Sequence, residues 1–265
     1  MNIHTLFYSV LLVFGFFCVS TMAQATLKAH PYSVGENLIY EVKFSKAVLR
    51  GIDIADLNFA VEVSPDSQNY LVKSEAKSKG LFPKLLNFKF NQNIQSTVDG
   101  EKWQVLKTVK RDEQDERVRD SEAVFDYRTK KVIYTETDPN DSARPPRSVA
   151  SAIENNTQDL ITAIYMLRRL PLAVGETFEL KISDSGLAYQ IPVRVTKREL
   201  QKSVSGKVWC FRVEPEVFGK NRLIEKQGSM IIWIADDVLR LPVRAQINSD
   251  IGKMEARLKE AKIVN

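Results

Sequence analysis

The chain has 265 residues, of which 44% are hydrophobic and 27% are charged, and its formal net charge is +5. This composition is typical of a globular protein with a sizeable core, and it excludes an intrinsically disordered chain. The only two histidines, His4 and His30, lie close to the start. The body of the chain therefore has no histidine for a catalytic triad, a proton shuttle or a zinc site.

The N-terminal segment has the pattern of a secretory signal. Residues 6–19 form an apolar run too short to span a bilayer comfortably, and Ala23-Gln24-Ala25 follows it. We predict a signal peptide over residues 1–25, cleaved after Ala25, and one domain over residues 26–265. Retention of the segment as a membrane anchor stays open. After cleavage Cys210 is the one cysteine left, which predicts no internal disulfide and a buried thiol in a strand.

The charged residues are mixed in sign along the chain. Lys110-Arg111, for example, directly precedes Asp112-Glu113. Such clusters indicate solvated strand ends and loops rather than a basic stripe, so we expect no nucleic-acid partner. Weak attraction to an anionic membrane surface stays open.

Most of the chain alternates between apolar and polar residues with a period of two. The first such stretch begins at Asn37, and in the next the apolar phase shifts near Ala55-Asp56, where we expect a β-bulge. Asp99-Gly100 indicates a hairpin, and residues 230–234 are apolar on both faces, which predicts a strand covered on both sides. The pattern predicts a mainly β fold, a large antiparallel β-barrel or half-barrel of about twelve strands.

One stretch follows a helical period instead. Leu160, Ile164 and Leu167 form an apolar stripe, which predicts a central covering α-helix over residues 157–169 that ends before Pro171. Asn156 or Thr157 would cap its start. Residues 138–156 have neither period and are expected to form a mobile linker, with a binding loop as the alternative. This loop and the helix would join two halves of the sheet.

Large side chains at inward positions are candidates for an apolar ligand cavity, with plain core packing as the alternative. The candidates are Phe88, Phe90, Ile94, Trp103, Tyr165 and Trp233.

Motifs for catalysis are missing from the sequence. There is no glycine-rich phosphate loop, no paired-cysteine metal spacing and no helical His-Glu motif, so we assign no catalytic residue, cofactor or metal. Glu36, Glu176, Asp236 and Asp237 could serve a carboxylate-only hydrolase, but each also fits a turn or a strand start.

Several segments in a fixed order resemble the DUF3108 family of bacterial exported proteins. These are residues 35–40, the helix 158–168, Gly175-Glu176-Thr177-Phe178, and residues 228–237 with 240–243 and Gly252. The resemblance implies a periplasmic envelope protein with a large antiparallel β-barrel-like domain, and it implies no established activity.

Three functions are compatible with these features. We expect a periplasmic, non-enzymatic binding or carrier protein for an apolar, lipid-like ligand or an envelope protein partner. The alternative is an assembly module of the envelope without a ligand, and a carboxylate-only hydrolase is third.

Overall fold

The structure is a computed structural model that describes residues 34–65, 68–80 and 89–264. The first part of the chain forms eight strands: β1 (Asn37–Lys46), β2 (Leu49–Val63), β3 (Asn69–Ser78), β4 (Phe90–Asp99), β5 (Val105–Gln114), β6 (Arg117–Asp126), β7 (Lys131–Thr137) and β8 (Arg147–Ala152). Helix α1 (Leu160–Arg169) follows. The remainder forms β9 (Thr177–Asp184), β10 (Leu187–Ser203), β11 (Gly206–Pro215), β12 (Gly228–Ala235), β13 (Pro242–Ser249) and β14 (Gly252–Lys262). Within the described residues, no α-helix has the length and hydrophobicity of a membrane span.

All fourteen strands belong to one antiparallel sheet. Its order is β8-β7-β6-β5-β4-β3-β2-β1-β14-β13-β12-β11-β10-β9, so every strand except β8 and β9 lies beside both of its neighbours in sequence or, for β1 and β14, beside the other end of the chain. The two edge strands are β8 and β9, which α1 connects along the chain. The predicted half-barrel architecture is confirmed, with more strands than the predicted twelve. One additional strand is β8, which lies inside the segment that we expected to be a linker.

The two edges of the sheet approach each other. Gly186 lies in the turn between β9 and β10, and a Cβ atom added there would be 2.8 Å from the Cβ atoms of Tyr134 on β7 and Val149 on β8. This turn therefore packs against the opposite edge, but β8 and β9 are not hydrogen-bonded neighbours. We call this line of contact the seam.

Helix α1 covers the inner face of the curved sheet. Its N-cap is Asp159, whose side chain accepts hydrogen bonds from the backbone amides of Ile161 and Thr162. The side-chain oxygen of Thr162 in turn accepts a hydrogen bond from the backbone amide of Asp159. The predicted caps Asn156 and Thr157 were wrong, because Asn156 lies in a turn with a φ of +63° and Gln158 forms a parallel bridge to Ile182 on β9, so the helix begins only after Asp159. The predicted end of the helix, before Pro171, is confirmed.

The buried face of α1 matches the predicted stripe in part. Leu167 is buried, as are Ile161, Tyr165 and Arg168, whereas Ile164 is half-buried and Leu160 is 40% exposed. Arg168 was not part of the predicted apolar stripe. The structure buries it because its charge is paired inside the core, as described below.

Strand register identifies which side chains share a face. Phe59 contacts Tyr165 of α1, with ring centroids 6.5 Å apart, so residues in register with Phe59 lie on the inner face. Residues one position along each strand lie on the outer face. Two local predictions are confirmed: the β1–β2 register shifts at residue 54, next to the expected bulge, and residues 231–234 of the predicted covered stretch are buried, with Met230 half-buried.

Candidate functional site

An open groove crosses the outer face of β1 to β7. Its volume is about 920 Å³. Two rows of outward side chains form its walls. One row follows the register Asn58, Glu75, Asn93, Arg111 and Asp120, and the other follows Ala60, Lys73, Gln95, Val109 and Glu122. The groove therefore runs across the strands, on the opposite side of the sheet from α1.

The charged side chains of the groove are largely paired with one another. Lys73 lies 2.7 Å from Glu62, and Arg111 lies 3.1 Å from Asp120. Lys107, just beyond the groove, is paired with Glu122. Arg111 also donates a hydrogen bond to Glu113 and holds the pKa of that carboxyl below its usual value, with a further bond from Asn91. Of the charged lining residues, only Glu75 and Lys110 have no ion pair among the described residues, and their charges are opposite.

Several uncharged polar side chains of the groove, by contrast, form no hydrogen bond within the described residues. Asn93 is exposed and Gln95 is half-buried on β4, and Thr135 lies on β7. None of these three side chains has a hydrogen-bond partner among the described residues. On β2 the Oδ1 atom of Asn58 is buried and likewise has no partner there. The groove therefore combines neutralised charges with unused amide and hydroxyl groups.

The interior on the other side of the sheet is held together by a buried ion pair. The guanidinium of Arg168 donates from Nη1 to Oε1 of Glu36 at 2.6 Å and from Nη2 to Oε2 at 2.8 Å. A third bond, at 3.0 Å, reaches the carbonyl oxygen of Leu239. Both charged residues are 1% exposed. The pair fixes the C-terminal end of α1 to the start of β1, and Glu36 is therefore not free to act as an acid or base.

The N-terminal end of α1 is fixed by the Asp159 carboxylate. One oxygen caps the helix, and the other accepts hydrogen bonds from Ser96 on β4 and, at 2.5 Å, from Thr108 on β5. A cavity of about 40 Å³ lies beside this carboxylate, lined in part by Lys110 and Leu160. It is small because α1 fills the space in front of the sheet.

A second cavity lies at the seam. It has a volume of about 250 Å³ and lies between the end of β8 and the β9–β10 hairpin. Across this cavity, Glu154 forms an ion pair with Lys181 at 2.5 Å and accepts a hydrogen bond from Gln190. These bonds link the two edges where the sheet does not close.

The predicted cavity residues are dispersed in the structure. Phe88 lies outside the described residues. Phe90 is half-buried at the start of β4, and Ile94 is half-buried and borders both the groove and the 40 Å³ cavity. The other three are core residues, each at most 5% exposed: Trp103, Tyr165 and Trp233.

The three core aromatics lie in different environments. Trp103 packs against Tyr70, with ring centroids 5.5 Å apart, and Tyr165 packs against Phe59. Trp233 lies on the outer face of β12, where its indole N–H donates to Glu199 at 2.5 Å. The structure therefore does not bring these side chains together around one cavity.

Cys210 is buried and free, as predicted. Burial raises the pKa of its thiol to about 12, aided by nearby carboxylates, so it remains protonated. Within the described ranges no group of three His, Cys, Asp or Glu side chains is placed to hold a metal ion.

Sequence reasoning missed the groove because its residues were assigned to an ordinary solvent face. A signal was nevertheless present on β4. Its outward residues, Asn91, Asn93, Gln95 and Thr97, include no charge, although the neighbouring strands carry many. An uncharged polar row in the middle of a charged sheet face is the feature that could have indicated a binding surface.

Comparison with a solved structure supports the fold. A β-barrel-like protein of unknown function, DUF1849, from Brucella abortus has a TM-score of 0.59 and 10% identity, over 88% of this chain and 99% of that chain. A protein with a YmcC-like fold from Bacteroides fragilis has a TM-score of 0.34 and 12% identity, over 90% and 99% of the two chains. No curated protein matches the sequence. The model of the family DUF3108, a family of proteins of unknown function, matches residues 39–259, and the chain belongs to that family.

Proposed function

We propose that the protein is an exported, non-enzymatic binding protein of the cell envelope that holds its ligand in the outer groove. The observation that supports this is the groove itself. Its volume of about 920 Å³ falls within the range of roughly 300–1,000 Å³ typical of ligand sites. Its unused amide and hydroxyl groups could orient a ligand without any rearrangement of the fold.

The two other parts of the proposal rest on the sequence and on the site chemistry. Export is supported by the apolar run and the Ala23-Gln24-Ala25 pattern, which lie outside the described residues. A non-enzymatic role is supported by the lack of histidine after His30 and by the buried, protonated thiol of Cys210. Glu36, one of the candidate carboxylates, is bound by Arg168.

The interior is a less favourable place for the lipid-like ligand that we expected from the sequence. The cavity beside α1 has a volume of about 40 Å³, which is room for about one or two water molecules. A lipid chain would have to displace α1, whose two ends are fixed by Arg168 and Asp159. The groove requires no such movement.

A second candidate, an assembly module of the envelope, is favoured by the edge of β8. Most residues of this strand are exposed, and Val124 and Ile133 form an exposed apolar pair on the adjacent strands. An exposed edge strand can pair with a strand of another protein.

Native mass spectrometry of protein purified from its own envelope tests the proposal. We expect an additional bound mass on the parent protein that is lost in the Asn93→Ala/Gln95→Ala variant. A matched control is Thr97→Ala, on the same strand and face but outside the groove lining. A bound mass retained by the groove variant, or a parent protein without bound mass, contradicts groove binding. A co-purified protein instead, lost when β8 is changed by Val149→Pro, would support the assembly module.

A further inference from the structure

Resting on the proposed function, we propose that the ligand of the outer groove is a neutral polyhydroxylated chain, that is, a glycan segment. The chemical groups that line the groove, its direction and its length lead to this inference.

The length of the groove indicates a chain rather than a small metabolite. Its lining extends from Asn37 on β1 to Thr137 on β7 and so crosses seven strands. Six inter-strand spacings of about 4.8 Å give a length of roughly 29 Å. A ligand that uses the whole groove is therefore an elongated molecule of several repeating units.

The charges of the groove disfavour a charged ligand. Lys73 is paired with Glu62 and Arg111 with Asp120, and the two lining charges without an ion pair in the described part of the chain, Glu75 and Lys110, have opposite signs. The groove therefore offers an ionic ligand no surplus of either charge. The neutral groups with unused hydrogen-bonding capacity are Asn58, Asn93, Gln95 and Thr135. An amide offers two donors and one acceptor, and a hydroxyl can donate and accept. Sugar hydroxyls, which also donate and accept, match these groups without any net charge.

The direction of the groove favours a glycan over a peptide. An extended peptide binds a sheet by adding a strand to an edge, where backbone groups are unpaired. The groove runs across the strands, so the backbone of its floor is already paired in β2 to β6. The apolar side chains of its lining are Ala60, Ile94 and Val109, and none of them is aromatic. A chain whose own side groups are hydroxyls fits this surface better.

Calorimetric titration with defined neutral oligosaccharides tests the inference. The panel consists of hexamers of β-1,4-linked N-acetylglucosamine, β-1,4-linked glucose and α-1,4-linked glucose, with lysine and glutamate hexapeptides as charged probes. We expect saturable binding of at least one oligosaccharide, with the same Kd at low and high ionic strength because no ion pair contributes. Asn93→Ala/Gln95→Ala should weaken it roughly tenfold or more, because several hydrogen bonds are lost, whereas Thr97→Ala should have no effect.

Thr135→Val is the second variant, because it removes one groove hydroxyl on a different strand while keeping side-chain shape. It keeps the test valid if the double variant does not fold, and we expect a smaller loss of affinity. Binding only of a charged peptide, with a Kd that rises with salt, overturns the inference. Failure of every oligosaccharide also overturns it. If the envelope-purified protein nevertheless carries a groove-dependent mass that is not a glycan, the groove is a binding site and only the ligand class is wrong.

Discussion

Glu36 and Arg168 place two opposite charges in the interior, where each is 1% exposed. Removing one partner leaves the other buried without a counter-charge, which costs about 3–5 kcal/mol in proteins. We therefore predict that Arg168→Met lowers the free energy of unfolding by that amount, measured by urea denaturation. Glu36→Leu/Arg168→Met should lose less than Arg168→Met, because no charge is left unpaired. Lys73→Met, which breaks an exposed pair, should stay within about 1 kcal/mol of the parent. Equal losses for Arg168→Met and Lys73→Met would show that the interior pair is solvated.

We predict that titration of Glu255 lowers the free energy of unfolding in acid. Burial alone would raise its pKa, but hydrogen bonds from Arg244, Arg257 and Lys253 outweigh burial and hold the pKa at about 2. A folded-state pKa below the unfolded-state value stabilises the fold above the unfolded pKa, and that contribution is lost as the pH falls. The window lies between the ordinary pKa of 4.5 and about 2. The full contribution is on the order of 3 kcal/mol.

Urea denaturation between pH 6 and pH 2 of the parent and of Glu255→Gln measures this contribution. We expect the free energy of unfolding of the parent to exceed that of the variant at pH 6. The difference should shrink as the pH falls through that window, because the protonated carboxyl resembles the amide. An advantage that is constant across the range would mean that the carboxylate does not titrate there.

At the scale of the elements, the orientation of α1 is tested by two adjacent residues. Ile161 is 4% exposed and Leu160 is 40% exposed. We predict that Ile161→Asp destabilises by several kcal/mol, because it buries an unpaired charge, and that Leu160→Asp stays within about 1 kcal/mol of the parent. Ile164→Asp, which the sequence pattern placed at the centre of the stripe, should lie between them, because Ile164 is half-buried. Melting temperatures in the reverse order would mean that the helix is rotated.

The helix also shows how far the sequence could be interpreted. Its existence and its end at Pro171 followed from periodicity and from a residue that cannot continue a helix. Its start and the burial of Arg168 did not, because both depend on distant partners. Asp159 is the cap because Ser96 and Thr108 bind its second oxygen, and Arg168 is buried because Glu36 lies opposite. A local pattern cannot contain contacts that join residues more than fifty positions apart.

The strands, like the helix, could be predicted only in part. Alternation predicted the antiparallel half-barrel, but β8 was missed because the residues of Arg147–Ala152 are mostly small and exposed and show no apolar face. The groove was missed for a related reason. Its residues are outward and polar, as on any solvated sheet face, and only the register across seven strands shows that they form two continuous rows.

At the scale of the whole molecule, the contact between the two edges of the sheet depends on the turn at Gly186. Its φ of +82° disfavours other residues, and an added Cβ would be 2.8 Å from Tyr134 and Val149 across the seam. Gly175 has a similar φ of +95° but no atom within 4 Å of the added Cβ. We predict that both alanine substitutions carry the cost of backbone strain, and that Gly186→Ala loses an additional 1–3 kcal/mol or so from overpacking. Equal melting temperatures for the two variants would show that the edges do not press together.

The central claim is that the ligand binds on the outer face and not beside α1. Rates of thiol labelling test it, because the buried Cys210, with a thiol pKa of about 12, contributes little background. Gln95→Cys reports on the groove, and Leu160→Cys reports on the interior cavity, where Leu160 is 40% exposed. Each variant is labelled as purified from the envelope and again after unfolding, removal of bound molecules and refolding. We predict that the bound molecule slows labelling of Gln95→Cys and leaves Leu160→Cys unchanged, whereas protection of Leu160→Cys alone would contradict the account.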